Sequence, residues 1–318
     1  MTSLATFQNL ARSYGGRAVV DDLSFDVTEG SVTGLLGPNG AGKTTSIRML
    51  LGLTRPSGGS VALLGEKPGA PGFAGAARQV GSLIEGPALY GRATARQNMR
   101  IEAAARGLDQ GTARVDDLLA FVGLADRADT KAGQFSLGMK QRLGLALALI
   151  GSPRLVVLDE PTNGLDPGGI VEIRHLIARL PERGTTVLVS SHLLSEVQLM
   201  CDRATIIHKG RLVAQGTMDE LLTHNGTSGH AVRVAPDEAE RAAGVLTAAG
   251  IPATAGDEGR LAVGGDVSDG AEISRPLAEA GIYVSELTPR SASLEEVFLS
   301  LTGEAGDDAA APAEEVAA

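Results

Sequence analysis

The chain has 318 residues, 43% of them hydrophobic and 21% charged, with a formal net charge of −10. At this length and composition it is expected to bury a substantial core and to form one large domain with a smaller one. The acidic balance argues against sequence-independent binding of nucleic acid, which needs a basic footprint, so no nucleic-acid partner is expected.

A single cysteine, Cys201, allows no internal disulfide. The start, MTSLATFQNL, lacks the basic and apolar segments of a secretory signal. The most apolar helical run, residues 143–150, is far shorter than the roughly 20 residues that cross a bilayer. A cytoplasmic chain is expected, with any membrane association supplied by a partner.

In chain order, residues 4–30 read as strands with turns at Gly15-Gly16 and Glu29-Gly30. Residues 31–36 form a short apolar strand that runs into a glycine-rich loop, Gly37 to Gly42, and then a helix from Lys43 to about residue 51. Residues 54–75 read as turns with one strand at 60–64. From about 85 to 150 the spacing becomes helical, over 93–106, 111–122 and 136–150, which predicts a helical insertion. Strand 155–158, helix 168–180, strand 185–190, helix 195–201 and strand 204–208 follow. Such alternation predicts a parallel sheet covered on both faces.

The stretch HNGTSG at 224–229 reads as a domain break, ending a first domain over 1–225. Beyond it come strand 231–235, helix 237–249, strands 252–256 and 261–264, helix 268–280 and strand 282–287. That order, βαββαβ, predicts a small α+β ferredoxin-like domain over 230–303 closed by a helix at 293–301. Residues 304–318 carry five acidic and no basic residues, which predicts a disordered acidic tail.

The chemistry is concentrated in a few motifs. Gly37, Pro38, Asn39, Gly40, Ala41, Gly42, Lys43 and Thr44 fit the P-loop pattern GxxxxGK[ST], placed between a strand and a helix. Its glycines turn successive N–H groups toward one anion, and the helix N-terminus adds partial positive charge. Lys43 is placed to reach terminal phosphates, and the Thr44 hydroxyl to bind Mg²⁺. Thr45 belongs to the same nucleotide-binding turn. The apolar strand at 155–158 ends in Asp159 and Glu160, at the sheet edge where open α/β folds hold ligands. Asp159 is the expected Mg²⁺ holder, and Glu160 the general base for an attacking water.

Phe135-Ser136-Leu137-Gly138-Met139-Lys140-Gln141-Arg142 opens the third helix of the insertion, with Ser136 as its N-cap. In isolation this is an ordinary capped helix. Placed just before the Asp159 strand, it resembles the LSGGQ signature of ABC transporter ATPases. The resemblance covers about residues 4–220. It implies a P-loop NTPase fold of ABC type, with a parallel-sheet core, an antiparallel portion and a helical insertion. It also implies ATP and Mg²⁺ as ligands, and a head-to-tail dimer of this chain with itself or a paralogue, each ATP lying between one P-loop and the opposite Ser136–Gly138 turn.

The same resemblance gives Tyr14 the adenine-stacking role, although a surface turn tyrosine is the alternative reading. It makes Asp166, in Gly164-Leu165-Asp166-Pro167, part of a loop touching the opposite subunit, and His192 a contact of the γ-phosphate. Two departures stand out. Glu85 occupies the place of a glutamine expected near Mg²⁺, where a carboxylate can itself bind the metal. Leu137 and Met139 replace a glycine and a glutamine of the signature.

IEGPALYGRATARQNM and FSLGMKQRLGLA are similar to bacterial exporters of bacitracin and lantibiotics, and SASLEEVFLSLTG to ATPases of daunorubicin type. These imply export through a separate ABC-2-type permease, contacted by residues 85–98, with the chain peripheral on the inner face of the membrane. A soluble ABC ATPase acting on a macromolecular partner, and a non-catalytic ABC-shaped regulator, are the alternatives.

Overall fold

Alternating apolar and polar residues make Ser3–Tyr14 (β1) and Arg17–Thr28 (β2) an antiparallel hairpin turning at Gly15 and Gly16. The uniformly buried Val32–Leu36 (β3) leads through the glycine-rich loop into helix Lys43–Leu50. Gly58–Leu63 (β4) returns to pair with β1, which closes a three-stranded sheet in the order β2-β1-β4. The computed structural model describes residues 2–109, 114–225, 229–264, 269–290 and 293–303.

The segment 54–75, expected to be turns with one strand, runs into a short helix, Phe73–Ala77, and a strand the sequence did not predict, Val80–Leu83 (β5), follows it. Helices Ala95–Ala105, Val115–Phe121 and Leu137–Ala148 make the insertion. The second was expected from residue 111, but 111–113 lie outside the described residues. Leu155–Asp159 (β6), helix Pro167–Ala178, Thr186–Ser191 (β7), helix Leu194–Gln198 and Arg203–His208 (β8) follow as the alternation predicts. An unexpected strand, Arg211–Thr217 (β9), then adds antiparallel to β8. The main sheet runs β5-β6-β7-β3-β8-β9, with its first five strands parallel.

One apolar cluster ties these parts together. Phe7, Leu23 and Phe25 of the hairpin, Ile47, Met49 and Leu50 of the Lys43 helix, and Leu155, Val157 and Leu188 of the main sheet share it. The rings of Phe7 and Phe25 stack at 4.0 Å between centroids. The loop between β3 and the Lys43 helix is thus anchored at both ends in a single core.

The chain divides into two units, residues 1–218 and 219–318. The division falls after Met218, the first residue of helix Met218–Asn225, whereas the sequence places it at the glycine-rich stretch after that helix. In the second unit Gly229–Arg233 (β10), helix Ala239–Ala248, Ala253–Ala255 (β11), Arg260–Gly264 (β12), helix Gly270–Glu279, Glu286–Arg290 (β13) and helix Leu294–Thr302 appear in the expected βαββαβ order. All pairings in its sheet, β11-β12-β10-β13, are antiparallel. Its core includes Val232, Leu246, Leu261, Ile273, Leu277 and Ile282.

The last strand starts four residues later than expected. Ile282 of the apolar run enters the core, and the ladder to β10 is made by the more polar residues that follow. The expected acidic tail, 304–318, lies outside the described residues.

Candidate functional site

Because β5, β6, β7, β3 and β8 are parallel, their carboxyl ends share one edge, the edge that holds ligands in open α/β sheets. The P-loop leaves from β3. Ser190 and Ser191 end the adjacent β7, Asp159 ends β6 one strand further on, and Glu85 follows β5 at the far side. With neighbouring strands about 4.8 Å apart, this order alone brings β7 residues closest to the loop and leaves Glu85 most distant.

Two loop positions demand glycine. A Cβ on Gly37 would lie 2.2 Å from the Ile207 carbonyl oxygen, and one on Gly42 would lie 2.8 Å from that of Val19. Gly42 also has φ 104° and, as N-cap of the Lys43 helix, gives no side-chain bond. The first N–H groups of that helix have no intrahelical acceptor, and their partial positive charge faces the loop. Pro38, Asn39 and Gly40 form the exposed crown, while Ala41 is buried.

Lys43 is only 6% exposed. Its Nζ donates to the carbonyls of Gly37 at 2.7 Å and Pro38 at 3.3 Å, and pairs with Glu160 Oε1 at 3.1 Å. The next residue, Thr44, donates its hydroxyl to Asp159 at 2.9 Å and 3.1 Å. Consecutive residues of the helix thus meet the two consecutive carboxylates of β6. In a continuing strand those carboxylates would point to opposite faces. Glu160 instead takes φ 48°, in the left-handed region that costs a non-glycine residue and recurs at functional sites. That turn ends β6 and brings both carboxylates to the helix.

Ser190 fixes the arrangement. Its hydroxyl donates to Asp159 Oδ1 at 2.6 Å and accepts from the Glu160 N–H at 3.0 Å. His192 Nδ1 lies 2.7 Å from Glu160 Oε2. An ionised carboxylate only accepts, so Nδ1 is the donor in this bond. Glu160 is thereby held between an ammonium and an imidazole, and Asp159 between two hydroxyls.

Of the residues singled out in the sequence, Lys43, Thr44, Asp159, Glu160 and His192 converge. Glu85 does not join them: its carboxylate is ion-paired with Arg48, the pair being 39% and 62% exposed on the arginine and glutamate side chains. Its position three strands from the P-loop explains this, and Arg48 lies further along the same helix. Ser136 caps its helix as expected, accepting from the Met139 N–H at 3.3 Å. Beside it, Leu137 is exposed and approaches Gly164, while a Cβ on Gly138 would meet Leu165. The signature turn and the loop leading to Asp166 are therefore neighbours within one chain. Asp166 is the N-cap residue of the Pro167 helix, without a side-chain cap bond. Thr45 is half-buried, and Tyr14, at the end of β1, is 45% exposed.

Sequence reasoning missed Ser190, Arg48 and Asn98. Serine at the end of an apolar strand next to a carboxylate strand was the available signal for the first. Asn98 is 2% exposed and binds the backbone around it, accepting from the Tyr90 N–H at 2.8 Å and donating to the carbonyl of Thr94 at 2.9 Å. It fixes the Tyr90–Thr94 loop ahead of its own helix. Cys201 carries no thiol chemistry here, because burial, and then the charge of Asp202, push its thiol far up and keep it protonated.

The donor set fits Mg²⁺ and a triphosphate. Thr44 and Asp159 present hard oxygen ligands side by side, and Mg²⁺ in such sites needs only one or two protein ligands beside phosphate oxygens and water. Lys43 now spends its donors on carbonyl and carboxylate oxygens, the acceptors that phosphate oxygens also provide.

A protein-family model described as ABC transporter matches residues 20–163, and one for a domain of unknown function matches 230–295. The uncharacterised ABC transporter ATP-binding protein YhcH of Bacillus subtilis (strain 168) is 40% identical over 312 residues, which cover 97% of this chain and 99% of that protein. The chain belongs to the ABC transporter ATP-binding proteins. The ABC ATPase is also 44% identical over 226 residues to the bacitracin transport ATP-binding protein BcrA of Bacillus licheniformis, covering 71% of this chain and 73% of BcrA. Against the daunorubicin resistance ATP-binding protein DrrA3 of Streptomyces coeruleorubidus it is 36% identical over 305 residues, covering 94% and 96%. A solved ATP-binding subunit of an ABC transporter superposes with a TM-score of 0.62 at 32% identity, over 70% of this chain and 92% of that one. The ABC ATPase binds and hydrolyses ATP, and its fold is the P-loop fold expected from the motifs. Among its described residues no helix is long and apolar enough to cross a membrane.

Proposed function

We propose that this ABC ATPase drives export of a drug, antibiotic or peptide through a separate ABC-2-type permease, working as a head-to-tail dimer on the inner face of the cell membrane. The observation that carries the reading is the match, over nearly its whole length, to a daunorubicin resistance ATP-binding protein. The shorter match to the bacitracin transport protein agrees with it. In this reading a separate permease supplies the path through the membrane, because no helix among the described residues is long and apolar enough to cross it.

In this reading the P-loop N–H groups and Lys43 hold the ATP phosphates, and Tyr14 stacks on the adenine. Thr44 and Asp159 would hold Mg²⁺, which neutralises charge on the phosphate oxygens when bound. Glu160 takes a proton from the attacking water, and His192 orients the Glu160 carboxylate through the bond to Oε2. Phosphoryl transfer of this kind needs positioning and charge neutralisation more than covalent chemistry. The exposed Ser136–Gly138 turn, with its helix N-terminus, completes the site of the opposite subunit, and Asp166 lies beside it. Residues 85–98, which begin with Glu85, contact the permease and relay closure to it once Glu85 leaves Arg48. Residues 230–303 form a regulatory or dimer-steadying domain.

The test is a pull-down of tagged Glu160→Gln protein with Mg-ATP from gently solubilised native membranes. Recovery of a polytopic membrane protein is expected, and a chain ended at residue 229 is expected to recover less of its own second copy. Recovery of ribosomes, nucleic acid or the protein alone contradicts the export reading, and undiminished dimer recovery contradicts the dimer-steadying role of 230–303.

A further inference from the structure

The guanidinium of Arg12 lies 4.4 Å from the centroid of the Tyr14 ring. Arg12 and Tyr14 are two apart on β1, so their side chains leave the same face of the strand. Arg12 is also tied elsewhere: its Nη1 donates to the Arg55 carbonyl at 2.9 Å. Residues 55–57 form the connection between the Lys43 helix and β4, and they lace along β1. The Ser57 N–H donates to the Ala11 carbonyl at 2.8 Å, and the Ser13 N–H donates to Ser57 Oγ at 3.2 Å. At the other end of that connection, the N–H groups of Leu53 and Thr54 both donate to the Arg48 carbonyl.

The Arg12 Nε is buried and has no hydrogen-bond partner among the described residues. The guanidinium thus covers one face of the Tyr14 ring while its Nη1 is fixed on the Arg55 carbonyl. Tyr14 stays 45% exposed despite this cover. β2, the partner strand of β1, runs beside the P-loop: a Cβ on Gly42 would meet the Val19 carbonyl, and Val20 pairs with Arg12.

We propose that Arg12 is a positioning residue for the nucleotide base: it backs the Tyr14 ring on one face and fastens it to the connection after the P-loop helix, so that the other face meets the adenine at a fixed distance from the phosphates. The proposal rests on the base-stacking role of Tyr14. Arg12 touches neither base nor phosphate, and it acts only through the ring.

Binding of ATP and of inorganic tripolyphosphate is to be measured by calorimetry in EDTA, so that neither is followed by hydrolysis. The ratio of the two Kd values reports the nucleoside, and its change between variants reports what the variant does to the nucleoside contact. Arg12→Ala is expected to weaken ATP about two- to fivefold, the worth of a cation–π contact, and to leave tripolyphosphate unchanged. Arg12→Lys, which keeps the charge but not the planar stack, is expected to give an intermediate ratio. In a Tyr14→Ala background, Arg12→Ala is expected to have no further effect. Equal weakening of both ligands, or an unchanged ratio in both Arg12 variants, overturns the proposal. An unchanged ratio in Tyr14→Ala alone shows instead that the base-stacking reading beneath it has failed.

Discussion

Ser190 shows how much of the catalytic geometry depends on one small hydroxyl. It bonds the Asp159 carboxylate and the Glu160 backbone at once, across the β6–β7 pairing that sets Asp159 opposite Ser190. A hydrogen bond to a charged group contributes more than one between neutral groups. Ser190→Ala is therefore expected to slow ATP hydrolysis roughly tenfold or more while changing ATP affinity little, because the P-loop and Lys43 do not touch it. A phosphate-release assay with unchanged turnover contradicts the positioning role. Lys43, Thr44, Asp159, Glu160 and His192 were legible because each occupies a fixed place relative to a strand or helix end. Ser190 was less so, since nothing in the sequence says which strand lies beside β6. Glu85 was placed near the metal by its neighbours in the chain, whereas the sheet order sets it three strands from the P-loop and beside Arg48.

At the scale of elements, β5 and β9 escaped the sequence reading for different reasons. β5 is four residues long and contains Gly81 and Ser82, so neither alternation nor apolar content marks it. It lies hard against the end of the signature helix: a Cβ on Gly81 would lie 1.9 Å from the Ala148 carbonyl oxygen. Gly81→Ala must push that helix end away. It is expected to cost about 1–3 kcal/mol, the usual cost of overpacking, seen as a lower denaturant midpoint for the first unit. A wild-type midpoint contradicts the close approach. β9 is an antiparallel edge strand with mixed burial, and its pairing with β8 is tertiary information. In the second unit the order of elements was legible from their alternation. The last strand was not, because Ile282 serves the core while the ladder starts at Glu286.

For the whole molecule, the sequence reading fixed the class of machine more firmly than its boundaries. The P-loop, the two carboxylates and the signature helix come from segments far apart in the chain, and one parallel sheet edge with one shared core gathers the first two. The signature turn stays exposed beside the Gly164–Asp166 loop. The unit boundary was misplaced because helix Met218–Asn225 follows β9 without any break in composition, whereas the visible glycine-rich stretch comes after it.

Glu160 is the residue on which hydrolysis turns in this reading, held by Lys43 at 3.1 Å and His192 at 2.7 Å. The decisive measurement is phosphate release by purified wild-type and Glu160→Gln protein, with ATP binding measured on both. Glu160→Gln is expected to lose about 10²–10⁴-fold in turnover and to keep ATP binding, since it removes the base and leaves the phosphate-holding groups in place. Near-normal turnover with intact binding would contradict Glu160 as the base.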